Sequence, residues 1–176
     1  MTEGLSTTTI DTHHDHEECS KSDRGLGPVI LAFAASAMAA VGGGLLTRPH
    51  LVPWYASLVK PWYTPPNWAF PVAWNTLYIL MAFAVLSYWQ HPEKKPAVIW
   101  LYFLQLVLNL VWSYAFFTLH SPLAGLICLS LMWLLMVPVF KGFWTTHRFS
   151  GWLFLPYCLW ITYAWALNAG LYWLNR

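Results

Sequence analysis

Residues 96–140 read PAVIWLYFLQLVLNLVWSYAFFTLHSPLAGLICLSLMWLLMVPVF, and no Asp, Glu, Lys or Arg occurs between Lys95 and Lys141. A helix needs about 20 apolar residues to cross a hydrocarbon core of about 30 Å, so this stretch holds two spans rather than one. His120-Ser121-Pro122 is the natural break, because proline suits the first turn of a helix. The two spans are therefore expected at about 97–119 and 123–143.

Working outward, His91-Pro92-Glu93-Lys94-Lys95-Pro96 is a charged turn that closes an earlier span over about 69–90. Thr145-Thr146-His147-Arg148 ends the later one, and a further span follows over about 152–174. Toward the N-terminus, residues 25–47 carry no charge and supply a first span at about 27–46. Its small residues Ala32, Ser36, Ala40 and Gly44 recur every four positions, with Ala35, Ala39 and Gly43 beside them. That spacing gives one smooth helix face, which lets neighbouring helices approach closely. A secretory signal is the alternative, since Lys21 and Arg24 precede an apolar run containing Ala-x-Ala, but nothing polar and cleavable follows Gly44.

Composition supports the same class. The hydrophobic share is 58% and the charged share 9%, against about 25% charged in a soluble domain. So little charge leaves lipid as the solvent for most of the chain. The net charge of +2 carries no nucleic-acid signal. Cys19, Cys128 and Cys158 are odd in number and scattered, which fits neither a disulfide framework nor a zinc site. Residues 1–24 form a polar tail without apolar period, expected to be disordered, before a membrane domain over 25–176. A solvated tail is preferred to a transition-metal site at His13-His14-Asp15-His16-Glu17-Glu18-Cys19.

Residues 47–68, TRPHLVPWYASLVKPWYTPPNW, are too rich in proline for a span and too aromatic for a loose linker. Trp54, Tyr55, Leu58 and Val59 suit a short helix lying in the interface. The expected architecture is an all-α, multi-pass integral membrane protein: a five-helix transmembrane bundle whose long first loop acts as a lid. With five spans, Lys21, Arg24, Lys94, Lys95, Lys141 and Arg148 share one side, and Arg48, Lys60 and Arg176 the other. The positive-inside rule then places the N-terminus in the cytoplasm.

Polar groups at membrane depth face protein or a cavity. Gln105, Asn109 and Ser113 lie four apart on one face, which Trp112 joins. Trp74, Tyr78 and Met81 share a second face. Trp160, Ala164 and Leu167 share a third, with Asn168 alongside. Trp89, Trp100, Trp144, Trp152 and Trp173 sit near span ends, as interfacial belt residues do. Trp74, Trp112, Trp133, Trp160 and Trp165 lie deeper, and Trp74, Trp112 and Trp160 are the candidates for a cavity wall. Ordinary helix packing is the competing explanation, with Asn and Gln as interhelical glue. No acid or base lies mid-span, which argues against an ion-coupled transporter. Every histidine lies in the tail or near a span end, which argues against a haem iron held deep in the bundle. An indole-walled pocket with a few amide donors suits a flat, largely apolar ligand. Leu167, Tyr172 and Arg176 fit the proposed sterol-contact pattern, but that pattern is weak alone and an interfacial Tyr with a terminal cation is the preferred explanation.

Trp54-Tyr55-x-x-Leu58-x-Lys60-Pro61-x-x-Thr64-Pro65-Pro66, followed by Phe70-Pro71-Val72-Ala73-Trp74-x-x-Leu77-Tyr78, resembles the tryptophan-rich sensory protein family, which includes the mitochondrial translocator protein. Asn109-x-x-Trp112-Ser113 and Pro156-Tyr157-x-x-Trp160-x-x-x-Ala164-x-x-Leu167-Asn168 are similar to its other signatures. The resemblance covers about residues 27–174. It implies a five-helix bundle, often a homodimer, that binds porphyrins and other tetrapyrroles, isoquinoline-type drugs and, in some members, sterol. The implied ligand positions are Trp54, Tyr55, Trp74, Tyr78, Asn109, Trp112, Trp160, Ala164 and Leu167. It implies no required cofactor. A receptor or sensor role in tetrapyrrole metabolism or stress is the leading expectation. Transport of porphyrin or sterol is an alternative. Light-dependent protoporphyrin degradation involving Trp74 and Trp160 is another, as a side activity. One departure concerns the lid: Tyr63 stands where the family usually has Trp, and Trp62 comes one place early.

Overall fold

The computed structural model describes residues 26–176. The expected tail, its metal-binding alternative and Cys19 lie outside the described residues. Five long helices follow one another: α1 (Leu26–Leu51), α2 (Ala69–Trp89), α3 (Pro96–Ser113), α4 (Pro122–Thr146) and α5 (Arg148–Leu174). A π-turn over Tyr114–Thr118 continues α3, and a 3-10 turn over Tyr55–Ser57 interrupts the first connector.

The helix starts follow from local chemistry. Pro96 and Pro122 open α3 and α4, where the missing N–H costs nothing. Ser121 caps α4 by accepting from the Ala124 N–H at 3.2 Å. Two boundaries differ from expectation. The first helix runs through Pro49 to Leu51, several residues into the predicted connector. The fifth begins at Arg148, so His147 alone separates it from α4. The interfacial helix expected at Trp54–Val59 is only the single turn Tyr55–Ser57.

Around the bundle the helices are neighbours in the order α1, α2, α5, α4, α3 and back to α1. Sequential α2 and α3 barely touch, whereas α4 and α5 pack along their length. The helices α1 to α4 are long and apolar enough to cross a membrane. At 27 residues α5 has the length, and its Trp and Tyr residues lower its hydropathy. The small-residue face of α1 does meet α3: Ser36 Oγ lies 3.2 Å from the Tyr102 hydroxyl, and a Cβ on Gly42 would stand 2.9 Å from Leu110 Cδ2. The outward faces carry Ile30, Met38, Val41, Ile79, Val107 and Leu134. Such faces suit lipid, which places the protein in a bilayer as a multi-pass protein.

Candidate functional site: an indole-walled cavity

One end of the bundle encloses a cavity of about 280 Å³. Helices α1, α2, α3 with its π-turn, the connector and α5 line it, and α4 contributes nothing. Trp74 on α2 is the hub. Its ring centroid lies 6.0 Å from Trp112 on α3, 6.2 Å from Trp160 on α5 and 5.6 Å from Tyr78 one turn on. The Trp74 and Tyr78 rings stack at 27°, and the Trp74 and Trp160 rings stand at 85°. These are the offset and edge-on arrangements that aromatic quadrupoles favour.

Tyr55, Trp74, Tyr78, Asn109, Trp112, Trp160, Ala164 and Leu167 all line this cavity. Trp54 does not. It stands behind the wall, 5.2 Å from Phe116 and stacked at 4.8 Å on His120. Of the residues in the sterol-contact pattern, Leu167 faces the cavity, while the Arg176 guanidinium lies 3.4 Å over the Trp173 ring. Of the other deep tryptophans, Trp133 and Trp165 turn outward. Each donates its indole N–H across the α4–α5 seam, Trp133 to Thr162 at 3.2 Å and Trp165 to Ser130 at 2.9 Å.

Arg48, Phe116, Phe117 and Tyr163 also line the cavity and were not anticipated. Phe116 and Phe117 are brought in by the π-turn, whose Leu119 N–H reaches back to the Tyr114 carbonyl at 3.0 Å. A π-turn shifts the helical register by one residue and is common at functional sites. Arg48 became a wall residue because α1 runs past the predicted end of its span.

Polar atoms in this wall lack protein partners. They are Asn109 Nδ2, Trp112 Nε1, Trp160 Nε1, both amide atoms of Asn168 and the Tyr55 hydroxyl. A buried polar group left unpaired costs about 1–3 kcal/mol. Several such groups on one cavity wall set this end apart from a packed core, where buried polar groups are paired. Most are donors, so the matching ligand offers acceptors. Burial, then the neighbouring Tyr163, pushes the Tyr55 hydroxyl up to about 12, which keeps it a neutral donor.

The connector covers this end and is tied to α5. Asn175 accepts from the Val59 N–H through Oδ1 and donates to the Val59 carbonyl through Nδ2, both at 2.9 Å. The Tyr63 hydroxyl donates to the Ala166 carbonyl at 3.1 Å, and the Tyr163 hydroxyl to the Tyr63 carbonyl at 2.8 Å. Gly170 permits this approach, because a Cβ there would lie 2.6 Å from the Tyr63 hydroxyl and 2.7 Å from Pro61. Tyr63 thus docks the lid, whereas Trp62 is 95% exposed and contributes no wall.

The sequence profile of the TspO/MBR family matches residues 30–174. Protein CrtK of Rhodobacter capsulatus is 40% identical over 146 residues, 81% of this chain and 89% of that protein. The tryptophan-rich protein TspO of Chlorobaculum tepidum is 36% identical over 151 residues, 82% and 95% of the two chains. The translocator protein of Sus scrofa is 28% identical over 148 residues, 80% and 88%. The matched region takes in α1 from residue 30 onward, the other four helices and every residue of the cavity wall. This chain belongs to the TspO/MBR family of membrane sensors and translocators.

Proposed function

We propose that the protein is a membrane receptor that binds porphyrins and related tetrapyrroles in this cavity, and so senses or regulates tetrapyrrole metabolism or stress. The carrying observation is the triad Trp74, Trp112 and Trp160 at 6.0–6.2 Å with unpaired indole donors on two of its members. A flat aromatic body gains stacking on this wall, and its peripheral acceptors would meet the donors of Asn109, Trp112 and Trp160. Isoquinoline-type ligands satisfy the same demands at smaller size, and sterol satisfies the apolar part. The volume of about 280 Å³ lies just below the range of ligand pockets, roughly 300–1,000 Å³. A whole macrocycle therefore requires the connector to lift, and the ties of Asn175 and Tyr63 set the cost of that movement.

Trp112→Ala should weaken porphyrin quenching of intrinsic fluorescence by roughly tenfold, equivalent to about 1.4 kcal/mol. Unchanged affinity in a folded variant would remove the indole triad from the site. Transport is separable from sensing by liposome flux: saturable porphyrin flux supports a carrier, and binding without flux supports a receptor. Among the described residues that line the cavity, Arg48 is the sole Asp, Glu, Lys or Arg, which favours uncoupled behaviour. Light-dependent degradation has its own specific support in the edge-on contact of Trp74 and Trp160. Illumination with protoporphyrin should then yield a bleached product that disappears when either residue is replaced by Phe.

A further inference from the structure

We infer that His50 and His120 form a transition-metal site at the rim of the cavity, taking a divalent first-row cation such as copper(II), nickel(II) or zinc(II). His50 stands at the end of α1, and His120 fills the turn between the π-turn and α4. Although distant in sequence, their rings meet, with His50 Nδ1 3.0 Å from His120 Nε2. The ring planes cross at 74° with centroids 4.9 Å apart. Two imidazole nitrogens bound to one such cation, each about 2.0–2.1 Å from it at ~90–110°, lie roughly 2.8–3.4 Å apart. The pair already stands inside that interval.

The backbone supplies a second observation. His120 has φ +52° and is the one non-glycine residue with positive φ among the described residues. That region disfavours L side chains, and glycine would make the turn without strain. The strained residue instead has its imidazole held on two sides. The Trp54 indole stacks on it at 4.8 Å and 22°, and His50 bonds to its Nε2. Stacking on Trp54 thus holds the plane of the His120 ring while its Nε2 faces His50.

Without a cation, one ring donates to the other. To bind one, the donating ring moves its proton to its other nitrogen, and both facing nitrogens then offer lone pairs. No oxidation or reduction is involved. Among the described residues no cluster of three His, Cys, Asp or Glu side chains is present. The remaining coordination positions are therefore left to water or to a ligand at the rim, as in an open rather than a structural site. Copper(II) should bind most tightly of the three. The location gives the site a consequence: Trp54 opens the connector and packs on Phe116 of the cavity wall. A bound cation would tie the end of α1, the connector and the start of α4 together at the rim.

The test is a copper(II) titration of the full chain in detergent, followed by tryptophan fluorescence. A saturable quenching component is expected. His50→Gln and His120→Asn should each shift its midpoint upward by about tenfold or more. Asn is chosen because it tolerates the left-handed backbone. The triple variant His13→Asn, His14→Asn, His16→Asn should retain the component, since its source is the rim and not the tail. Midpoints within about twofold of the wild type in both single variants would overturn the proposal. So would loss of the component in the tail variant. If His120→Asn is not monodisperse, His50→Gln decides alone, because it leaves the strained turn intact.

Discussion

The two ends of the bundle are built from the same residue types and behave in opposite ways. Away from the connector, Tyr88, Tyr102, Phe143, Phe154 and Tyr157 are fully buried and packed ring on ring. Their polar atoms are answered. Tyr157 donates to Gln105 Oε1 at 2.9 Å, Gln105 Nε2 donates to the Met132 carbonyl at 2.7 Å, and the Tyr88 hydroxyl accepts from the Lys95 N–H at 2.9 Å. Under the connector, Trp74, Trp112 and Trp160 surround space, and the donors of Asn109, Trp112, Trp160 and Asn168 are unanswered. Gln105 and Asn109 are one helical turn apart on α3, so core gives way to cavity within that turn. Aromatic content does not separate core from cavity wall here; the fate of the N–H and O–H groups does.

The sharpest way to break the comparison is to exchange the two amides. Gln105→Leu takes the acceptor from the Tyr157 hydroxyl and removes the bond to the Met132 carbonyl, and should cost about 1–3 kcal/mol in detergent thermal or denaturant unfolding. Asn109→Leu removes an already unpaired donor. It should leave ligand-free stability within about 1 kcal/mol and weaken tetrapyrrole binding by roughly three- to tenfold. Equal destabilisation by both would mean that the open end is merely a core.

A second contrast sets two glycines against each other. A Cβ on Gly142 would stand 2.5 Å from Val98 Cγ2, and one on Gly44 would meet nothing within 4 Å. Gly142→Ala should destabilise by about 1–3 kcal/mol through overpacking, while Gly44→Ala, beside the cavity, should be neutral or slightly stabilising. Weaker still, Asn175→Ala should lower stability by about 1 kcal/mol. By freeing the connector at Val59 it should also raise ligand association rate more than affinity, as stopped-flow quenching would show.

The smallest effect lies at the closed end. Burial, and then the neighbouring His91, holds His147 below the usual imidazole range. The unfolded chain therefore protonates this ring first. Stability should be complete above the ordinary value of 6.5 and decline slightly as pH falls below it. His91→Asn should flatten that decline.

Much of this was legible in the residues. Helix number followed from the spacing of charges, and breaks at Pro96 and Pro122 followed from proline chemistry. Gln105, Asn109, Ser113 and Asn168 were identifiable as inward-facing, because an amide or hydroxyl at depth must find protein, and all four are buried. Tryptophan was harder. Trp133 and Trp165 also lie away from their helix ends, yet they face outward and satisfy their N–H groups on Thr162 and Ser130. The helices are apolar on every side, so no hydrophobic stripe separates the lipid face from the protein face. Phe116 and Phe117 were missed because a π-turn leaves no composition signal, and Arg48 because α1 passes through Pro49.

The sequence by itself determined the solvent, the number of helices, the connector that caps them and the short list of aromatics able to wall a site. Those depend on charge, length and proline, which act locally. Only the tertiary structure decided which aromatics close on one another, which amide donor finds a partner and which does not, and that His50 meets His120. Such choices belong to the ring order of the helices. The charged turn after α2 and the single-residue turn at His147 permit that order, and interhelical packing and hydrogen bonding select it.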